Sequence, residues 1–279
     1  MNGGLGNQLF QYIFLRWMEI KTGEECIIED SAFCLENPAH NGYEIEKLFG
    51  IKKSKLSQLF DEDVWQVMME ERKSGKSIPQ QLLDNGLQLS MVYESGNINF
   101  SGNMFKVKPG SLELNVKGNW YFHGYWIFNK YLQEIEDVIR QELSFPTIVD
   151  EKNQMYEKCI QQTDSVAIHV RRGDMVQLGR AMEPSFFKSA IQEMEGKISN
   201  AYYFLFSDDL TWCLEHSGEM GLDVVKERVI LVEGNHGENA YRDLQLMSHC
   251  KHQIISFSSF SILAASLNSN PEQIVIKSW

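Results

Sequence analysis

The chain is 279 residues long, and 26 basic against 38 acidic side chains leave a net charge of −12. At about 100–200 residues per domain, this length makes one large domain or two modest ones, and 43% hydrophobic with 23% charged residues describes a globular chain, not a disordered one. So strong an acidic excess, spread over both halves, excludes nucleic acid or an anionic membrane surface as the main partner, because both need a basic footprint; a small anion in a local basic pocket remains open.

The glycine-rich run Gly3-Gly4-Leu5-Gly6-Asn7-Gln8 leads into a first helix, whose apolar face is Leu9, Phe10, Ile13, Phe14, Trp17 and Met18 and which Gly23 can end. Residues 26–29 are expected as a buried strand. Residues 52–118 alternate only weakly and are expected as mixed helix and strand. Leu132, Ile135, Ile139 and Leu143 mark one further amphipathic helix, which Phe145-Pro146 breaks. The expected boundary lies there, giving domains 1–148 and 149–279. Beyond it the pattern is regular. Apolar, β-branched runs at 165–170, 202–206, 229–232, 253–256 and 273–276 alternate with helical stretches that begin after Pro184 and at 210–220, 240–250 and 260–267. Strand and helix in alternation imply an α/β, Rossmann-like domain with a parallel sheet, whose ligands bind outside the carboxyl ends of its strands.

Five scattered cysteines without C-x-x-C spacing indicate neither structural zinc nor a dithiol redox motif, and reduced thiols in a cytoplasmic protein are expected. No apolar run approaches the ~18 residues that span a bilayer, and no basic-then-apolar signal segment opens the chain.

Four segments could carry chemistry. The first glycine run lets a backbone approach a ligand and precedes a helix start, where unpaired N–H groups favour an anion; a simple glycine turn is the plainer reading. His169-Val170-Arg171-Arg172-Gly173-Asp174 follows a strand. Two adjacent arginines are costly to bury without anions, and a guanidinium fork suits phosphate oxygens. An exposed ion-pair cluster with a core histidine is the alternative. Ser207-Asp208-Asp209 also follows a strand, and one carboxylate could accept a guanine N–H pair while the other caps the next helix. Ser258, Ser259 and Ser261 crowd a helix start after the strand ending at Ser256, as an anion cradle would.

Together these segments resemble the bacterial α-1,2-fucosyltransferases, within the fucosyltransferases that share a His-x-Arg-Arg-x-Asp motif. GGLGNQLFQY, HVRRGD, FSDD and DLQLMSHCKH…FSSFS occur in that family's order, and GYWIFNKYLQEI is similar to the segment before its second domain. The resemblance implies a GT-B-like fold of two Rossmann-like domains with a cleft between them. It implies inverting transfer of L-fucose from GDP-fucose to a galactose 2-hydroxyl, without a cofactor or obligatory metal. The acceptor would be a galactose-containing glycan or a lipid-linked oligosaccharide, so that membrane association comes through the substrate. By position, Arg171 is expected to bind the pyrophosphate and offset charge on the leaving GDP. His169 and Asp208 or Asp209 are expected by guanine and ribose, Ser258, Ser259 and Phe260 at the phosphates, and Gly4, Gly6 and Asn7 on the donor from the first domain. Arg172 is expected to be the structural partner of Asp174. Asp174, Glu183 and Glu238 are unranked candidates for the acceptor's proton.

The chain departs from the family in two places. Members open on a short strand before GGLGN, for which Met1-Asn2 leaves no room, so the first domain is expected to lack it. The late motif has Phe257 where the family has Asn, and Ile262-Leu263 for two tryptophans. Two other readings stand beside transfer: a catalytically weak GDP-binding module, and a metal-dependent phosphohydrolase built on Ser207-Asp208-Asp209.

Overall fold

Helix α1 (Leu5–Thr22) starts at Gly4, whose backbone is extended, and stops where Gly23 takes the left-handed conformation and donates its N–H to Glu19 O. The computed structural model describes residues 1–36, 40–94, 98–108, 110–112 and 117–279. They cluster into two units, Met1–Ser144 and Phe145–Trp279.

In the first unit α1 is buried on nearly every side, Leu9, Phe10, Tyr12 and Ile13 almost completely. A helix buried all round must also satisfy its polar side chains. The Gln8 amide donates to Gly42 O at 2.7 Å and accepts the Glu44 N–H at 2.9 Å, and Gln11 makes the same two kinds of bond to the backbone of Asn2. Helix α2 (Ile45–Phe49) lies against α1, while α3 (Glu62–Lys73) and α4 (Ile78–Asp84) pack on each other through Met68, Ile78 and Leu82, with a short 3-10 turn at Leu56–Leu59. Strands β1 (Leu89–Tyr93), β2 (Asn103–Lys106) and β3 (Asn119–His123) form a parallel sheet in the order β2-β1-β3.

Two expectations fail here. Residues 26–29 do not form a strand: Ile28 alone pairs, with Lys55, while Ile27 is 46% exposed. The helix expected through Leu132–Leu143 is two, α5 (Asn129–Glu134) and α6 (Glu136–Glu142), broken where Ile135 leaves helical geometry at φ −133° and ψ 28°. Ile135 and Ile139 are buried all the same, so the apolar spacing reports the buried face and not the continuity of the helix.

The second unit runs α7 (Glu151–Gln162), β4 (Ser165–Val170), α8 (Gly173–Gln177), α9 (Pro184–Lys197), β5 (Tyr202–Ser207), α10 (Leu210–Glu215), β6 (Val229–Leu231), α11 (Tyr241–His249), β7 (His252–Ile255), α12 (Ser259–Leu267) and β8 (Val275–Ile276). Its strands make one parallel sheet, β6-β5-β4-β7-β8. Central β4 is buried along its whole length, as a strand covered on both faces must be. Val166, Ile168, Val170 and Tyr203, Leu205 pack against Phe187, Ile191 and Met194 of α9, which opens on Pro184 where its missing N–H costs nothing. The helical pattern over 210–220 is cut short at Glu215; Gly221, at φ +75°, turns the chain into the 3-10 segment Leu222–Arg228. No helix among the described residues is long and apolar enough to cross a membrane.

Candidate functional site

Register brings the chemistry together. His169 lies opposite Phe206 of β5 and Ile255 of β7, so the residues that follow these three strands emerge at one sheet edge. There Arg171 pairs through Nη1 with Asp208 and through Nη2 with Asp174, each at 2.8 Å. Asp208 also accepts the Arg172 backbone N–H at 2.8 Å. The close approach explains Gly173, since a Cβ there would sit 2.6 Å from Asp208 Oδ2. Two carboxylates around one guanidinium leave the cluster net negative, yet an arginine fork carries more donors than these two contacts use.

The buried His169 places Nδ1 2.9 Å from Ser256 Oγ, and the same oxygen accepts the Arg171 backbone N–H at 3.2 Å. Burial, with the Arg171 charge adding to it, pushes the imidazole down to about 3, so it is neutral at physiological pH. A hydroxyl that accepts from Arg171 and donates to Nδ1 satisfies all three groups and leaves the ring proton on Nε2. Phe260, at the start of α12, lies 6.0 Å from the histidine ring. Ser258 caps α12 by accepting the Phe260 N–H at 3.3 Å, Ser259 is its first residue, and Ser261 turns inward to the carbonyls of Ser256 and Ser258.

Arg172 does not pair with Asp174, contrary to expectation. Asp174 stands in the first turn of α8, and Arg171, just ahead of the helix cap, takes it. The Arg172 guanidinium lies instead 3.5 Å over the Trp212 ring, with Asp209 Oδ2 at 3.6 Å. Asp209 meanwhile caps α10, accepting the Trp212 N–H at 3.0 Å. Arg172, Trp212 and His216 line an open cavity of about 410 Å³ together with Met182, Glu183 and Pro184.

Thus His169, Arg171, Asp174, Asp208, Ser258 and Phe260 gather at one edge, with Arg172 and Asp209 flanking them. Gly4, Gly6 and Asn7 belong to the first unit. Gly4 caps α1, Gly6 is buried in its first turn, and Asn7 gives its carbonyl to Gln11 at 2.9 Å. Sequence reasoning missed two residues. Ser256 reads only as the last residue of an apolar run, although its place opposite the end of β4 makes it the hydrogen-bond hub. Trp212 reads as one more apolar residue of a helix, although it follows its cap by three positions and so faces the preceding arginine loop. Among the described residues no group of His, Cys, Asp and Glu could hold a metal ion.

The model of a family described as glycosyl transferase family 11 matches residues 80–279. An alpha-1,2-colitosyltransferase of Escherichia coli is 26% identical over 267 residues, covering 93% of this chain and 83% of that protein. The O-antigen biosynthesis glycosyltransferase WbnK of Escherichia coli is 21% identical over 99% of this chain and 91% of its own. The galactoside 2-alpha-L-fucosyltransferase SEC1 of Bos taurus is 28% identical, over 51% of this chain and 39% of its own. Among solved structures, NodZ alpha-1,6-fucosyltransferase soaked with GDP-fucose superposes with a TM-score of 0.54 at 13% identity, covering 96% of this chain and 90% of that one. POFUT1 in complex with GDP does so with 0.52 at 13% identity, covering 98% and 95%. Likeness at such identities concerns the α/β fold with parallel sheets.

Proposed function

The chain belongs to glycosyl transferase family 11, and from that premise we propose that it moves L-fucose from GDP-fucose to the 2-hydroxyl of a galactoside, with inversion at the anomeric carbon. The observation that carries this reading is Arg171, a cation held by two carboxylates at the carboxyl edge of a parallel sheet. A pyrophosphate arriving there can take over the donors the carboxylates leave unused. In the reaction the acceptor oxygen bonds to the sugar's anomeric carbon as that carbon's bond to the β-phosphate oxygen breaks. The electron pair goes to GDP, and the acceptor's hydroxyl proton passes to a nearby carboxylate or to water. Growing charge on the β-phosphate is what needs stabilising. A fixed guanidinium and the start of α12, with Ser258 and Ser259, supply that without a metal.

The other roles follow from charge. Neutral His169 serves as a hydrogen-bonding partner for ribose or guanine, not as a second cation. Asp208, while it holds Arg171, has lone pairs left to accept guanine N–H groups; Asp209 remains a helix cap that steadies Arg172. Asp174 keeps Arg171 oriented, and Phe260 walls the histidine. In this reading the architecture is GT-B-like, Phe145–Trp279 binds the donor and Met1–Ser144 the acceptor, with Gly4, Gly6 and Asn7 the first unit's candidates for donor contact. Fucosyl and galactoside names among the relatives support it.

The test is GDP release from GDP-fucose with and without lactose and related galactosides. Acceptor-dependent release with an α-1,2-linked product, unchanged by EDTA, is expected; donor binding without turnover on any galactoside contradicts it. A second reading keeps the linkage and changes the sugar to colitose, favoured by the 26% identical colitosyltransferase. Competition between fucosyl and colitosyl donors decides between them.

A further inference from the structure

The second unit has a cavity that the donor roles leave unused. Arg172 directly follows Arg171, and their carboxylate partners Asp209 and Asp208 are consecutive as well. The cavity that Arg172 lines therefore opens beside the place proposed for the pyrophosphate, yet Arg171, Asp208, His169 and Ser256 are not among its lining residues. Its volume, about 410 Å³, lies within the range of about 300–1,000 Å³ that small-ligand sites occupy.

Arg172 is fixed in place and under-used. Its guanidinium lies 3.5 Å over the Trp212 ring, and Trp212 is itself held by its backbone N–H on the Asp209 cap. Asp209 Oδ2 stands 3.6 Å from Nε, beyond hydrogen-bond length, and among the described residues no group accepts a hydrogen bond from the guanidinium. Nε alone is shut off from solvent; the Nη donors stay accessible. Other residues of the lining supply acceptors. Glu183 precedes α9, but its exposed carboxylate makes no cap bond to that helix, and Glu219 is a second exposed carboxylate. His216 stacks on Trp212 with ring centroids 4.4 Å apart, and its Nδ1 lies 2.9 Å from Trp212 O. A carbonyl only accepts, so Nδ1 carries the proton and Nε2 of the neutral ring is left as an acceptor. Val176, 49% exposed, and Met182 add apolar surface.

This mixture selects its ligand by exclusion. A cation would meet Arg172, and a second anion would meet Glu183 and Glu219. A purely apolar group would leave the guanidinium donors and both carboxylates unmatched. A neutral ring bearing hydroxyls matches them all, because each hydroxyl both donates and accepts. We infer that the cavity is a subsite for a neutral sugar unit of the acceptor glycan, next to the galactoside that receives fucose. Arg172 donates to its hydroxyl oxygens, and Glu183 and His216 accept hydrogen bonds from its hydroxyls. The inference rests on the transfer reading for the identity of the glycan; the cavity itself lies wholly in Phe145–Trp279.

The test compares methyl β-galactoside with neutral galactose-terminated oligosaccharides of two to four units. Binding to the GDP-loaded full chain is followed by ligand-observed NMR, GDP affinity by calorimetry, and transfer kinetics alongside. The wild-type chain is expected to bind the best oligosaccharide about 10- to 100-fold more tightly than the methyl galactoside. Val176→Trp fills the cavity from an exposed position, and Glu183→Gln turns one acceptor oxygen into an N–H donor. Each should remove most of that gain while binding of methyl galactoside and of GDP stays within about two-fold. The two variants act by different means, bulk and polarity, so that misfolding of one leaves the other to decide. Unchanged oligosaccharide binding in both variants overturns the proposal. So does an equal loss for the methyl galactoside and the oligosaccharides, and so does a wild-type chain that binds no oligosaccharide more tightly than methyl galactoside. Failure of the transfer reading has a different signature: both variants weaken oligosaccharides selectively, with no turnover of GDP-fucose on any of them.

Discussion

The two units solve the same problem with different materials. In Phe145–Trp279 a five-stranded parallel sheet with a fully buried central strand supplies the core, and α9 seals one face with Phe187, Ile191 and Met194. In Met1–Ser144 the sheet has three strands, and the centre of the unit is instead the helix α1. That helix is tied down by charge as well as by apolar contact. Tyr12 donates to Glu142 at 2.6 Å, Arg16 reaches Glu142 at 2.8 Å and also Glu19, and Lys53 closes on Glu19 at 2.6 Å. The difference teaches where function can sit. A rigid apolar sheet can hold a guanidinium, an imidazole and a serine in fixed register at its edge. A helix-centred unit offers a shorter sheet edge, of three strands of four or five residues.

The sharpest test of that contrast is stability. Phe187→Ala should cost about 3–5 kcal/mol, the loss for a fully buried phenylalanine, whereas Tyr12→Phe should cost about 1.5–3 kcal/mol for one hydrogen bond to a carboxylate. Denaturant unfolding measures both, and the reverse ranking would break the comparison. A further difference concerns pH. Asp243 of α11 is partly buried, and desolvation pushes its carboxyl up to about 7, with the Asn235 amide at 2.8 Å pulling it back only in part. Since the usual value lies near 4, folding takes up a proton between the two. The contribution of this group is complete below about pH 4 and is lost as pH rises through about 7, on the order of 4 kcal/mol at most. Asp243→Asn should flatten that part of the profile; a profile unchanged by the substitution would contradict it.

The second unit was legible because its signals are local. The runs around Val166, Tyr203 and Ile254 are apolar on both faces and separated by helix starts such as Pro184, so alternation alone yields the sheet and its ligand edge. Position in the motif also led to Arg171, but not to its partner. Which arginine meets Asp174 depends on how the chain enters α8, and Arg172 was diverted by Trp212, forty residues away and invisible to spacing. The first unit was less legible because its order is non-local. Ile28 pairs with Lys55, Gln8 with Gly42 and Glu44, and Arg16 with Glu142. Glu94 carried no signal at all: a single acid after a short strand becomes notable only when its Oε2 is seen to accept the Trp126 N–H at 2.7 Å.

Arg171 is the residue we propose to receive the donor's pyrophosphate, and one assay addresses that role. Transfer from labelled GDP-fucose to a galactoside is measured for the wild-type chain and for Arg171→Ala, with thermal unfolding recorded on both. Removing a preorganised donor to the leaving charge should cost about 2.7–4 kcal/mol of barrier, roughly 10²–10³ in rate, with the unfolding temperature unchanged. An Arg171→Ala chain that keeps a tenth or more of wild-type activity would contradict that role for Arg171.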